Sequence, residues 1–176
     1  MEMDACAFDL RPGLPPEGLP REQVYPGRSI PPEYMDRLHR IAAEAGIEME
    51  RPEIIANTRK AHEATEFARE AGRLQEFQRA VFRSYWEKGE NISQTEVLCR
   101  LAEGCGLDAA DLRRALAEGR YAARIDEQID WSRAVGISGV PTFVFNDEFA
   151  VVGAQEYDVF RDVAGRIVRG EIKRED

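Results

Sequence analysis

An α/β fold with a large helical middle is predicted by three stretches of the sequence. Asp4 to Leu10 alternates imperfectly, placing Cys6, Phe8 and Leu10 on one side of a strand. Pro141-Thr142-Phe143-Val144-Phe145 is a β-branched and aromatic run led by proline, which suits a strand's first position because the missing N–H costs no ladder bond there. Between them, apolar residues recur at helical spacing from Pro31 to Val135.

After the first strand, Arg11 to Pro20 reads as loop, since its prolines remove backbone donors and its glycines relax the chain. Pro31-Pro32-Glu33 opens a helix to about Ala45, with Tyr34, Leu38, Ile41 and Ala42 as its buried stripe. Asn57 or Thr58 can cap the next, whose face of Ala61, Ala64, Ala68 and Ala71 implies close approach to another element. Leu74, Phe77, Val81, Phe82, Tyr85 and Trp86 give the following helix a bulky face.

Ser93-Gln94-Thr95-Glu96 has capping-box spacing for a helix carrying Leu98 and Leu101, and Asp108 starts a short helix through Leu112 and Ala115. A longer one follows, with Tyr121, Ile125, Ile129, Ser132 and Val135 at helical spacing. Asn146-Asp147-Glu148-Phe149 reads as a hairpin turn, with the return strand running into Gly153-Ala154-Gln155. The last helix runs from about Tyr157 to Arg169, and Gly170 to Asp176 is a charged, fraying tail.

Formal net charge is -9, which argues against a broad nucleic-acid or anionic-membrane surface. No run approaches the roughly eighteen apolar residues of a membrane span, and the opening Met1 to Cys6 lacks the basic flank and apolar core of a signal peptide, so a cytoplasmic location is expected. Three cysteines, Cys6, Cys99 and Cys105, make no disulfide framework and suit a reducing compartment. Two histidines, His39 and His62, have no ligand-spaced partners, so neither a metal nor a cofactor is expected. Arg11, Arg51, Arg59, Arg161 and Arg166 form no sequence-local phosphate loop.

Several of these stretches resemble one family. Phe8-Asp9-Leu10-Arg11-Pro12 with Leu14-Pro15-Pro16-Glu17-Gly18, Asn57-Thr58-Arg59-x-Ala61-His62, Tyr85 to Ile92, Gly106-Leu107-Asp108, Val140-Pro141-Thr142 and Gly153-Ala154-Gln155 are similar to landmarks of thioredoxin-fold proteins of the DsbA type, in the FrnE-like branch. The resemblance implies a protein disulfide oxidoreductase ancestry and a cis Val-Pro bond whose backbone, centred on Val140, pairs with an extended peptide or protein-thiol substrate. It implies a groove bordered by Val140, Pro141 and His62.

Family members carry a Cys-x-x-Cys after a first strand, upstream of the Phe8 segment, and the present sequence contains no such motif. The fold expected is therefore an incomplete or rearranged thioredoxin-like fold with a large helical insertion. Residues 1–30 and 136–176 would form the thioredoxin-like core and 31–135 the insertion, and exposed sheet edges would be covered by homodimerisation. Independent two-cysteine exchange is not expected; the alternatives are a noncatalytic peptide-binding or oligomeric structural protein and a glutathione-dependent isomerase-like protein. Cys6 is the thiol to inspect first, although its apolar register predicts a buried, inert group. Cys99 and Cys105 read as a core residue and a poorly activated thiol at a helix end.

Overall fold

A computed structural model describes residues 4–28, 30–146 and 148–171. The opening Met1–Met3, Asp147 of the expected turn and the end of the charged tail, residues 172–176, lie outside the described residues. The chain forms an α/β fold that joins a small thioredoxin-like sheet to a large array of helices. Its elements are β1 (Leu19–Pro20), α1 (Arg21–Val24), α2 (Pro32–Glu44), β2 (Ile54–Ile55), α3 (Arg59–Glu70), α4 (Leu74–Trp86), α5 (Thr95–Gly104), α6 (Ala109–Glu118), α7 (Ala122–Ala134), β3 (Thr142–Phe145), β4 (Phe149–Val152) and α8 (Tyr157–Val168).

The main core lies among α3 to α6, where the small residues Ala61, Ala64 and Ala68 let α3 approach α4, α5 and α6 around Phe77, Leu98, Leu112 and Ala115. Burying such side chains stabilises by roughly 1.5–3 kcal/mol each for the larger ones. The expected bulky face of α4 divides: Phe77 and Val81 are buried, whereas Phe82 is exposed. On α2 the expected stripe is mostly uncovered. Ala42 is buried, but Tyr34 and Ile41 are exposed.

Asp108 caps α6 by accepting from the Ala110 and Asp111 N–H groups at 2.9 and 3.0 Å. Asn57 opens α3 in the same way, accepting from the Arg59 N–H at 2.9 Å. The capping box before α5 does not form: the Ser93 hydroxyl donates instead to the Glu17 carbonyl at 2.9 Å. Asn57 and Asn91 also donate to carbonyls of the proline-rich loop, at Leu14 and Glu17. That loop then closes onto β2 at Gly18, whose φ of +80° and position against Ile55 leave no room for a side chain.

Two antiparallel two-stranded ladders are present among the described residues, β1 with β2 and β3 with β4. Asp4 to Leu10 has no regular structure and joins neither, so the expected strand there is corrected. Its register is reversed as well. Ala7 is buried against Ile125 and Ile129 of α7, while Cys6 and Leu10 are exposed. Side-chain donors and acceptors replace the missing ladder. Ala7 N–H donates to Gln128 Oε1 at 2.6 Å, Gln128 Nε2 donates to Glu66 at 2.9 Å, and Arg69 donates to the Ala5 carbonyl at 2.6 Å and also pairs with Asp4.

The β3–β4 hairpin has two apolar faces, because directly opposed residues share a face. Phe143, Phe145, Phe149 and Val151 form one, and Phe143 meets Phe160 of α8 edge-on with ring centroids 4.7 Å apart. Thr142, Val144, Ala150 and Val152 form the other.

Candidate active cleft

Alternation along β3 sends Thr142 and Val144 to the face opposite Phe143, together with Val140 just before the strand. These three side chains line one wall of a cleft of about 400 Å³. Asp4, Cys6, Ala7 and Phe8 form the opposite wall, and Trp131, Ser132 and Ile137, from the end of α7 and the following turn, close it. The buried hydrogen bond from Ala7 to Gln128 therefore positions the Cys6 wall, and the hairpin positions the other.

The structure brings Cys6 and Val140 to the same cleft. Pro141 follows directly, and the Val140–Pro141 peptide bond is cis. The Pro141 carbonyl accepts from the Gly153 N–H at 2.8 Å, and the Thr142 hydroxyl donates to the Gly139 carbonyl at 2.7 Å, so the turn into β3 is held on both sides. β3 has β4 as its one ladder partner among the described residues, which leaves its other edge unpaired.

His62 is not among the residues lining the cleft; it lies beside the Phe8 backbone, behind the Cys6 wall. Its Nε2 is enclosed and has no partner among the described residues. Burial holds the ring below the ordinary histidine range, opposed by Phe8 and Asp9 and reinforced by Arg59. Arg59 itself ties α3 to α7, donating to buried Glu63 at 3.2 Å, to Asp126 at 2.6 Å and to the Ala122 carbonyl at 2.8 Å.

All three cysteines are free, and each thiol is raised above its ordinary range, chiefly by desolvation. For Cys6 the residue as a whole is exposed, yet desolvation is still the largest influence and Asp4 adds to it, against Arg69 and Arg124. The burial expected for Cys6 is thus corrected, while a thiolate-activating environment is absent from its described neighbours. Cys99 is buried and its Sγ lies 3.5 Å from the Ala109 carbonyl; Cys105 is half-buried. No group of three or more histidine, cysteine, aspartate or glutamate side chains suited to a metal occurs among the described residues.

A family model described as the DSBA-like thioredoxin domain matches residues 1–164. The chain belongs to the DSBA-like thioredoxin domain family. This DSBA-like chain lacks an intact Cys-x-x-Cys pair within its 176 residues. It is 29% identical over 167 residues to the uncharacterized protein YwbO of Bacillus subtilis strain 168, covering 91% of this chain and 79% of that one. The crystal structure of the probable DsbA oxidoreductase SCO1869 from Streptomyces coelicolor superposes with a TM-score of 0.82 at 28% identity, covering 96% of this chain and 76% of that one. A 2-hydroxychromene-2-carboxylate isomerase shares the fold, with a TM-score of 0.67 at 22% identity over 79% of this chain and 68% of its own.

Trp131, Ser132 and Ile137 are cleft residues that sequence reasoning missed as such. Their one sequence signal is proximity to Gly136, which turns the chain from α7 toward β3; periodicity alone assigns Ser132 to a helix face.

Proposed function

We propose that this DSBA-like domain, as a FrnE-like branch member, binds an extended segment of a peptide or protein-thiol substrate between Cys6 and Val140. Within its 176 residues it carries out no two-cysteine exchange. The observation that supports this reading is the cleft itself: an apolar wall of Val140, Thr142 and Val144 beside an unpaired strand edge, facing a single exposed cysteine. A free edge recognises main chain, and alternating side-chain positions recognise apolar residues. Pro141 shapes the entry to that edge, and His62 supports the opposite wall through Phe8. In this reading residues 1–30 and 136–176 make up the thioredoxin-like part, 31–135 the helical insertion, and the protein resides in the cytoplasm with its thiols reduced.

Trp131 lines the cleft and reports directly on occupancy. Titration with an extended Val/Thr-rich peptide is expected to change its fluorescence, and Val144→Lys is expected to weaken that binding by at least about tenfold, since it drives a charge into an apolar wall. Equal binding by the variant overturns the site. Disulfide-reductase and oxidase rates are expected to equal those of the Cys6→Ser, Cys99→Ser, Cys105→Ser triple variant; a rate above it overturns the absence of exchange.

A second reading, a homodimer, is favoured by one specific observation. No described residue after Ser132 is buried, and Val140 and Val152 are 55% and 61% exposed on the uncovered side of the hairpin. An isologous pairing of these faces would cover them in both copies. The isomerase alternative has a likeness of fold in its support and no site residue.

A further inference from the structure

We propose that a groove beside β1 and α1, lined by Arg21, Arg28 and Arg51, is a binding site for a multiply charged oxyanion. The groove encloses about 630 Å³ and shares no lining residue with the Cys6–Val140 cleft. The three arginines come from separate places in the sequence, and the fold gathers them: the Arg21 N–H donates to the Glu53 carbonyl at 2.7 Å and its Nε to the Pro52 carbonyl at 2.9 Å, which sets the loop bearing Arg51 against α1. Arg11 completes the cluster. Its guanidinium lies 5.3 Å over the Tyr25 ring, and it also donates to the Tyr25 hydroxyl.

Glu22 and Glu53 line the same groove, yet among the described residues Arg11, Arg21, Arg28 and Arg51 make no ion pair, a state they share with Arg37, Arg40 and Arg79. Arg21 is held below the ordinary guanidinium range by desolvation and then by Arg51, with Arg11 adding to the effect, so Arg51 and Arg11 lie near enough to repel Arg21, and Arg28 joins them as a lining residue of the groove. A chain of net charge -9 has ample acid to pair them, and convergence of unpaired guanidinium groups is the arrangement that a bound anion offsets. Arginine's planar fork matches carboxylate and phosphate oxygens two at a time, and Pro20, Pro52 and Tyr25 provide stiff walls.

Calorimetric titration of the full chain with sodium diphosphate and with sodium succinate, against sodium chloride at matched ionic strength, tests the site. Saturable binding of one equivalent is expected, stronger for diphosphate if the natural ligand is a phosphate ester and for succinate if it is a carboxylate. Arg28→Gln and Arg51→Gln leave the Arg21 backbone contacts in place and are each expected to weaken binding by roughly tenfold, the loss of one charge-assisted contact. Heats equal to those of chloride, or undiminished binding by a folded Arg28→Gln, Arg51→Gln double variant, overturn the proposal.

Discussion

Gln128 Oε1 accepts the Ala7 N–H at 2.6 Å, and this bond across 121 residues takes the place of a strand ladder at the amino-terminal segment. The amide's other end donates to buried Glu66 at 2.9 Å, so one side chain satisfies both a buried backbone donor and a buried carboxylate. Gln128→Leu removes both partners at once. Loss of about 2 kcal/mol in denaturant unfolding is expected, within the range for stranding buried polar groups. Hydrogen exchange is expected to accelerate at Ala7 before the α3–α6 core is affected; unchanged protection there would show that the bond does not hold the segment.

His62 makes stability depend on pH. Its folded-state pKa is lowered, mainly by burial, so the native state prefers the neutral ring and the unfolded chain takes up the proton first as pH falls below the ordinary value of 6.5. The contribution is therefore complete above that value and declines as pH decreases through it. Urea midpoints of the wild type are expected to fall between pH 7.5 and 5.5 more steeply than those of His62→Gln. Parallel profiles would assign the dependence to other groups.

Phe143 and Phe160 form the contact that seats α8 on the hairpin. A double-mutant cycle with Phe143→Leu and Phe160→Leu is expected to give a coupling of about 1 kcal/mol, as for other edge-to-face aromatic pairs. A coupling near zero would mean that α8 is held by something other than this pair.

Thiol accessibility separates the cysteines. A disulfide reagent such as dithiobisnitrobenzoate is expected to modify Cys6 first, Cys105 more slowly and Cys99 on unfolding alone, following their exposed, half-buried and buried positions. Because the Cys6 thiol is raised by desolvation and Asp4, its rate at pH 7 is expected to lie below that of a free thiol and to increase in Asp4→Asn. A rate above the free-thiol value would reverse the account of Cys6 as unactivated.

Association through the uncovered hairpin face is testable by sedimentation equilibrium. On the homodimer reading, in which this face is buried in place of an open peptide cleft, the wild type is dimeric at micromolar concentration and Val152→Asp monomeric, since a charge at a face that becomes buried is strongly disfavoured. A monomeric wild type would remove the dimer reading.

The sequence by itself determined α2 to α8, the hairpin and the DsbA-type family, whereas α1 and the short β1–β2 ladder, whose first strand falls in the stretch read as loop, were not legible there. Periodicity over ten or more residues is a local property, so α3 to α8 could be placed from apolar spacing and breakers such as Asp108 and Gly119. The landmarks at Asn57 and Asn91 were also legible, though not what they do, which is to hold the proline-rich loop at Leu14 and Glu17. Tertiary structure decided the site. Whether Asp4 to Leu10 is a strand depends on a partner edge, which local alternation cannot supply; α7 provides a glutamine instead, and the one-residue change of face sends Ala7 inward and Cys6 to the cleft. The arginine groove has the same origin. Charges that are distant in sequence acquire a common environment when β1 pairs with β2, and repulsion among them exists only in the folded chain.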